Sequence, residues 1–160
     1  MMDNDLHAFD KWAGGLLAQL APAGRRAVTR DVARELRRSQ QTRIGAQRNP
    51  DESPFAARKP RTGKGGKLRV KKGRIKRAAM FAKLRTARYL KVESDAMGLA
   101  VGFAGRVSRV ARVHQFGLRD RVSPKGAEYK YPVRTLLGFT ETDRELIRDV
   151  LLKNISDVNR

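Results

Sequence analysis

The sequence of 160 residues contains no cysteine, only two histidines (His7 and His114) and 6% aromatic residues. Without cysteine there are no disulfides, no thiolate chemistry and no zinc sites built on cysteine. No apolar run approaches the roughly 20 residues that a bilayer-spanning helix needs. The acidic N-terminal stretch lacks the apolar block of a secretory signal. We therefore expect one cytoplasmically made domain with appendages, a modest aliphatic core and no membrane contact.

Acidic residues are also scarce, with 16 Asp and Glu against 36 Lys and Arg, a net charge of +20. The excess is concentrated between residues 46 and 91, where 16 basic and 2 acidic residues give 16 − 2 = +14 and leave 20 − 14 = +6 for the rest. Such a charge indicates a polyanion or an acidic protein surface as partner, and does not indicate a fold.

Apolar residues at helical spacing predict three long helices. The first covers residues 4–20 and the second covers residues 22–45, where Pro22 suits the first turn. A very short turn between them predicts a helical hairpin in residues 1–45. The last helix opens at Thr140 and carries acidic residues in its first turns, where the helix dipole favours them.

Between the hairpin and the C-terminal region, residues 46–77 form what we call the basic arm. Prolines, glycines and charges dominate this stretch, and few of its residues could be buried. The composition predicts a long flexible loop that is ordered only when bound.

The remaining residues, 78–160, are predicted to form a compact α+β core. Val107, Val110, Ala111 and His114 lie at helical spacing, with Ser108 as a candidate N-cap and Gly117 as a candidate C-cap. The other predicted elements are a short helix at 74–84, a β-hairpin of strands 85–94 and 98–103 around a turn at 95–98, a turn at 123–126 and an edge strand at 129–139. The fold class is thus α+β: an N-terminal helical hairpin, a long basic loop, and a small antiparallel sheet packed with helices that include a C-terminal one.

Candidate catalytic groups do not converge in the sequence. The acidic residue nearest to His114 is Asp120, and no metal-binding histidine spacing is present. The stretch TGKGGKL at 62–68 has Arg61 and Leu68 where a phosphate-binding loop needs Gly and Ser or Thr. We therefore predict no catalytic, cofactor-binding or metal-binding residue, and we predict that the protein is not an enzyme.

The basic arm has two functional interpretations beside that of a solvated linker. It could neutralise nucleic-acid phosphates, or it could dock on an acidic protein ring and become ordered on assembly. Phe55 is its only aromatic residue, which argues against stacking on single strands. The predicted partner-binding residues are Arg58, Lys59, Arg61, Lys64, Lys67, Arg69, Lys71, Lys72, Arg74, Lys76 and Arg77.

Two blocks, VHQFG at 113–117 and YPVRTLLGFTETD at 131–143, resemble the signature of the phage virion morphogenesis family. That family includes tail completion proteins of contractile-tailed phages. The blocks SQQTRIGAQRNPDESPFAARKP at 39–60 and MFAKLRTARYL at 80–90 also look like family segments. Together with the predicted β-hairpin strand at 99–103, these blocks extend the resemblance over residues 16–155. Its motif and structural residues are His114, Gln115, Phe116, Gly117, Pro132, Arg134 and Gly138.

This resemblance implies a structural, non-enzymatic virion protein of the tail or neck, assembled in the bacterial cytoplasm. It implies a homo-oligomeric ring, sixfold or twelvefold, at the head-proximal end of the tail, where it enables head–tail joining. Its implied partners are the tail tube or terminator and the head connector, with non-specific contact to phage DNA and no cofactor. The alternative is a general nucleic-acid-binding protein that acts through its basic arm. In either case we expect His114, Gln115 and Phe116 to hold their helix against the sheet.

Overall fold

The computed structural model describes residues 2–18, 20–58, 79–121 and 126–158. These residues form four helices and two two-stranded antiparallel sheets, which confirms the α+β class. In chain order the elements are α1 (Met2–Ala18), α2 (Pro22–Gly45), β1 (Leu90–Ser94), β2 (Leu99–Phe103), α3 (Val107–Phe116), β3 (Arg119–Arg121), β4 (Glu128–Lys130) and α4 (Glu141–Val158).

Helix α2 is the central element, and its bounds are those predicted. Val28, Val32 and Leu36 recur every fourth residue and are buried, so one face of α2 lies against α4. The first core cluster consists of Leu20, Val28, Val32, Leu36, Ile147 and Leu151. Helix α1 follows the predicted short turn but lies closer to α4 than to α2. The two N-terminal helices are therefore splayed, and a cleft opens between them.

The predicted β1–β2 hairpin forms and packs on α2, but its first strand begins at Leu90, because residues 85–89 form turns where the strand was predicted to start. Leu90 pairs with Phe103 and Ser94 with Leu99. Asp95 closes the turn, because its carboxylate Oδ1 accepts the backbone N–H groups of Met97 (2.7 Å) and Gly98 (2.9 Å). The hairpin contributes apolar side chains to both core clusters.

A second core cluster lies at the C-terminal end of α2 and consists of Ile44, Phe55, Ala111 and Leu136. Residues 46–58, which the sequence assigned to the flexible arm, form a packed loop here. Phe55 is buried, and Asn49 N donates to Ser53 O (2.8 Å) across the loop. One buried phenylalanine and a closed turn are thus enough to fix this stretch, whereas residues 59–78 lie outside the described residues.

Three local predictions were wrong within the described residues. Residues 80–89 form turns where a helix was predicted at 74–84, and Phe81 has a φ of 63° that no α-helix accepts. Ser108 does not cap α3, since its Oγ donates to Gly105 O (2.8 Å). The strand predicted at 129–139 ends at Lys130. The turn predicted at 123–126 lies largely outside the described residues.

The N-terminus of α4 confirms the predicted start at Thr140 and adds a reason for it. Asp143 N donates to Thr140 Oγ1 (3.0 Å), and Thr140 N donates to Asp143 Oδ2 (2.9 Å). This reciprocal pair is a capping box with aspartate in the place of glutamate. Asp143 is buried, so its carboxylate serves a specific contact as well as the helix dipole.

Candidate interaction site

Helix α3 ends where the sequence predicted, at Gly117. Gly117 has a φ of 62°, and Leu118 N donates to Val113 O (2.9 Å) in a left-handed helix end. A Cβ at this position would lie 2.7 Å from Val133 Cγ2 and 3.2 Å from Tyr131 O. Both the backbone angle and the close approach of residues 131–133 therefore require glycine.

His114 is half-buried between two aromatic rings. Its ring centroid lies 4.8 Å from that of Phe81 and 5.0 Å from that of Tyr131, both edge-on. Its Nδ1 accepts from Arg134 Nη1 at 3.0 Å, which leaves the ring proton on Nε2. Burial, and secondarily the charge of Arg134, lower the pKa of His114 from 6.5 to about 4. At neutral pH the ring is therefore a neutral acceptor.

Gln115 binds the backbone of the segment that follows β4. Its Oε1 accepts the N–H groups of Leu136 (2.8 Å) and Leu137 (3.0 Å), and its Nε2 donates to Leu137 O (2.8 Å). The side chain of Gln115 thus makes the hydrogen bonds to Leu136 and Leu137 that the backbone of a neighbouring strand would otherwise make. The prediction that His114 and Gln115 hold α3 against a sheet is corrected in one respect, since their partner is segment 131–138, which belongs to no helix or strand.

Arg134 is almost fully buried and is committed to the chain itself. Its Nε donates to Ala56 O (2.7 Å) and its Nη2 to Ala57 O (3.0 Å), while Nη1 reaches His114. Burial is the largest effect and lowers the pKa of Arg134; Tyr129 opposes it, and the charge of Arg58 adds to it. The guanidinium therefore fixes the backbone immediately before Arg58, where the described part of the arm ends.

The other end of the same interval, Met80, is fixed by Gln47. Gln47 Oε1 accepts from Met80 N (2.6 Å), and Gln47 Nε2 donates to Met80 O (3.0 Å). The ring of Phe81 then packs edge-on against Phe55, with centroids 5.8 Å apart. We call Gln47, Phe55, Phe81, His114 and Arg134 the anchor cluster. It holds the two stretches of chain that flank residues 59–78, at Ala56 and Ala57 on one side and at Met80 on the other.

Two buried polar residues of α2, Gln40 and Arg43, bind the backbone that follows Arg134. Arg43 donates to Thr135 O (3.0 Å) and Leu136 O (2.8 Å), and Gln40 donates to Gly138 O (3.0 Å). Burial lowers the pKa of Arg43, and the nearby Asp143 carboxylate opposes that shift. Gly138 itself is tightly packed, since a Cβ there would lie 2.6 Å from Pro50 Cγ.

The predicted residues thus fall into three groups. His114, Gln115, Gly117, Arg134 and Gly138 meet around segment 131–138. Pro132 is half-buried within that segment, and Phe116 is 63% exposed, so the prediction that Phe116 holds the helix is wrong. Of the basic residues Arg58 is described and exposed; outside the described residues lie Lys59, Arg61, Lys64, Lys67, Arg69, Lys71, Lys72, Arg74, Lys76 and Arg77.

Sequence reasoning missed the polar members of the site on α2 and the loop after it. Gln40, Arg43 and Ile44 continue the buried positions 28, 32 and 36 along α2. Polar side chains on an apolar stripe are a signal of buried hydrogen bonds, and this signal could have found Gln40 and Arg43. Gln47 and Asn49 carried no comparable signal.

The described residues hold no group of three or more metal-ligating side chains. Among them, no helix has the length and apolarity needed to cross a membrane. The arrangement can bind backbone groups and orient the chain around residues 59–78.

Comparison with known proteins gives a consistent result. The model of the phage virion morphogenesis family matches residues 4–156. The chain is also similar to tail completion protein S of Escherichia phage P2, with 38% identity over 153 residues, 95% of this chain and 98% of that protein. No solved structure matches significantly. With a match over nearly its whole length, the chain belongs to the phage virion morphogenesis family.

Proposed function

We propose that this chain is a tail completion protein, a non-enzymatic virion component that forms a ring at the head-proximal end of the tail and enables head–tail joining. The observation that carries the proposal is the 38% identity to the phage P2 protein over nearly the full length of both chains. A match of that extent covers nearly the whole length of the P2 protein and not only one shared motif.

The chemistry of the anchor cluster supports a binding role. His114 is neutral at neutral pH, and the groups described around its ring are aromatic rings and a guanidinium. Three N–H groups of Arg134 are engaged by His114 and by the chain's own backbone. A cluster whose polar groups are hydrogen-bonded within the chain is suited to holding a surface in place rather than to catalysing a reaction.

The basic residues supply the contact to partners in this proposal. Residues 59–78 contain 10 basic and no acidic side chains, and the chain enters and leaves this interval at the anchor cluster. A charged stretch fixed at both ends can engage an acidic surface without a free end. Its partners are then the tail tube or terminator, the head connector and, non-specifically, phage DNA.

The proposal places the protein in the virion, after assembly in the bacterial cytoplasm, as a sixfold or twelvefold ring. Sedimentation velocity of the purified chain, alone and with tails that lack it, tests this. We expect a ring-sized species and its co-sedimentation with tails. A monomer under both conditions would count against self-assembly.

A general nucleic-acid-binding protein is the second candidate, favoured by the same run of 10 basic residues. It predicts tight binding of duplex DNA or RNA by the isolated chain, with an affinity that falls steeply with salt. Tail completion predicts only weak, non-specific binding. A titration at several salt concentrations separates the two.

A further inference from the structure

Helix α1 is held on the rest of the fold by few side chains. It packs on the first core cluster through Phe9, Ala13 and Leu17, which are only half-buried. No ion pair within the described residues involves α1. An element with few buried apolar contacts opens locally at a lower cost in free energy than the core does. Release of α1 is therefore one of the cheaper motions open to this fold.

Two adjacent glycines in the middle of α1 weaken this helix further. Gly14 and Gly15 are exposed, and a Cβ added at either position would meet nothing within 4 Å. Packing within the single copy therefore does not require glycine at these positions. Because glycine is a poor helix former, the pair lowers the stability of α1 without serving a contact that the single copy makes.

The surface under α1 is wider than α1 itself fills. We call the surface on which α1 lies the α1 seat; it consists of Val28, Val32, Leu36, Ile147 and Leu151. All five side chains also line the cleft between α1 and α2, which has a volume of about 480 Å³. An unfilled gap of this kind forfeits the contacts that close packing would give. Helix α1 thus covers the α1 seat within one copy but does not fill it.

The connection between α1 and α2 is short. Helix α1 ends at Ala18, Leu20 is already buried in the first core cluster, and α2 begins at Pro22. Proline disfavours a helical backbone in the residue before it, and Ala21 is accordingly extended, with a ψ of 155°. The two helices are therefore kept from merging into one. Helix α1 can change direction just before Leu20 while Leu20 keeps its place in the core.

We propose that on assembly α1 of each copy leaves its own α1 seat and occupies the α1 seat of the next copy. This inference rests on the self-assembly in the proposed function and names its contact. The fold itself identifies the occupant, because the same helix covers the same five side chains within one copy.

Exchange of α1 accounts for assembly without a second complementary surface. The contacts made between copies are those already made within one copy, so the exchange of an identical element is a low-cost route to an oligomer. A short hinge also invites exchange, because it limits the ways in which the helix returns to its own copy. A one-way exchange is head-to-tail, and it repeats from copy to copy until the rotation between copies closes a ring.

Cross-linking between α1 and α4 tests the exchange, and the chain has no cysteine of its own to interfere. Trp12 and Glu145 are exposed and line one shallow pocket between the two helices. The double variant Trp12→Cys with Glu145→Cys is assembled and treated with a short bismaleimide. Without exchange the two thiols of one copy are joined, and the product runs as a monomer on a denaturing gel. We expect instead a ladder of dimers, trimers and larger species.

The two single variants give a second readout. When Trp12→Cys and Glu145→Cys copies are co-expressed, exchange places the thiol of one copy beside that of the other. We expect at least about tenfold more cross-linked dimer than from either single variant alone, because proximity raises the effective concentration of the thiols.

The matched control places the thiols across the β1–β2 hairpin. Glu93 and Ala100 are exposed partners in the strand register, and both strands belong to one copy. The double variant Glu93→Cys with Ala100→Cys should be cross-linked within each copy and run as a monomer. Circular dichroism and thermal unfolding check that each variant is folded. If Trp12→Cys is not, Gly14→Cys with Met97→Cys, two exposed positions that line the cleft, replaces the test pair.

The outcomes separate this inference from the proposed function. A wild-type chain that remains monomeric with and without tails contradicts self-assembly itself. Wild-type assembly in which the test pair is cross-linked only within each copy, as the hairpin pair is, overturns the exchange and leaves the proposed function standing. Products that stop at the dimer also overturn the inference, since a reciprocal swap between two copies predicts them and a one-way exchange does not.

Discussion

At the scale of single residues, His114 shows how the fold decides the chemistry of a side chain. The ring lies between Phe81 and Tyr131, and Arg134 donates to its Nδ1. A proton added at Nδ1 would break that hydrogen bond and place two positive charges side by side. The neutral ring is therefore part of the packing of the anchor cluster.

Acid should weaken the fold through His114. The pKa of His114 is about 4 when folded, below its ordinary value of 6.5, so the unfolded chain binds the proton first as the pH falls. The stability contributed by the neutral ring is present above pH 6.5 and is lost progressively towards pH 4. Urea denaturation at several pH values should show this loss in the wild type and a shallower one in His114→Gln. The exposed His7→Gln serves as control, and parallel curves for wild type and His114→Gln would refute the account.

Gly117 should be intolerant of any side chain. Gly117→Ala forces a left-handed conformation on alanine, at about 1–2 kcal/mol, and places a methyl group against Val133. Gly105→Ala is the matched control, since its φ is 70° but nothing lies within 4 Å of the added Cβ. We expect chemical denaturation to show a larger loss at Gly117, by at least about 1 kcal/mol. Equal losses would mean that the approach of residues 131–133 is not tight.

At the scale of elements, segment 131–138 belongs to no helix or strand. Amide side chains supply the partners that a strand would supply: Gln115 binds Leu136 and Leu137, and Asn49 Oδ1 accepts from Thr135 N (2.8 Å). This makes the segment a strap across α2 and α3. It is fixed by these side chains and by two backbone hydrogen bonds, in which Tyr131 N donates to Leu118 O (3.1 Å) and Arg134 N donates to His114 O (2.8 Å).

Removing one of those amides should loosen the strap. Gln115→Ala leaves two backbone N–H groups and one carbonyl without partners, which should lower the free energy of unfolding by about 2 kcal/mol or more. Hydrogen exchange at Leu136 and Leu137 should accelerate with it. Gln41→Ala, on α2 and outside these hydrogen bonds, is the control. Unchanged exchange in Gln115→Ala would contradict the assignment.

The strap also marks the limit of what the sequence could predict. The bounds of α2 follow from local signals, namely Pro22 and the spacing of Val28, Val32 and Leu36. The turn at Asp95 likewise predicts that a β-hairpin forms there, although not where its first strand begins. The strap at 131–138 depends on amides at positions 40, 49 and 115, far away in the chain, and no local pattern encodes that convergence. The burial of Phe55 was not predicted for the same reason, because it depends on Phe81 and Leu136, which lie far away in the chain.

At the scale of the whole molecule, the positive charge is distributed unevenly along the chain. Residues 59–78 carry 10 of the 20 net positive charges, so 20 − 10 = +10 remains on the rest, while α1 and α4 are acidic. An excess of positive charge of this size favours a polyanion or an acidic protein surface as partner.

Neutralising the basic stretch should separate partner binding from assembly. Replacing Lys64, Lys67, Lys71, Lys72 and Lys76 by glutamine should weaken DNA binding and reduce its dependence on salt, by about one in log–log slope for each phosphate that is no longer neutralised. The wild-type sedimentation profile should persist. The control replaces exposed Arg26, Arg30 and Arg34 of α2 by glutamine. An equal effect of the control would assign DNA binding to general charge.

The most direct test of the tail completion role is the infectious titre of the phage that encodes this chain after deletion of its gene. Purified wild-type protein, added to a lysate of separate heads and tails, should restore joined particles in electron micrographs and raise the titre by several orders of magnitude. Particles that join and infect equally well without the protein would contradict the account.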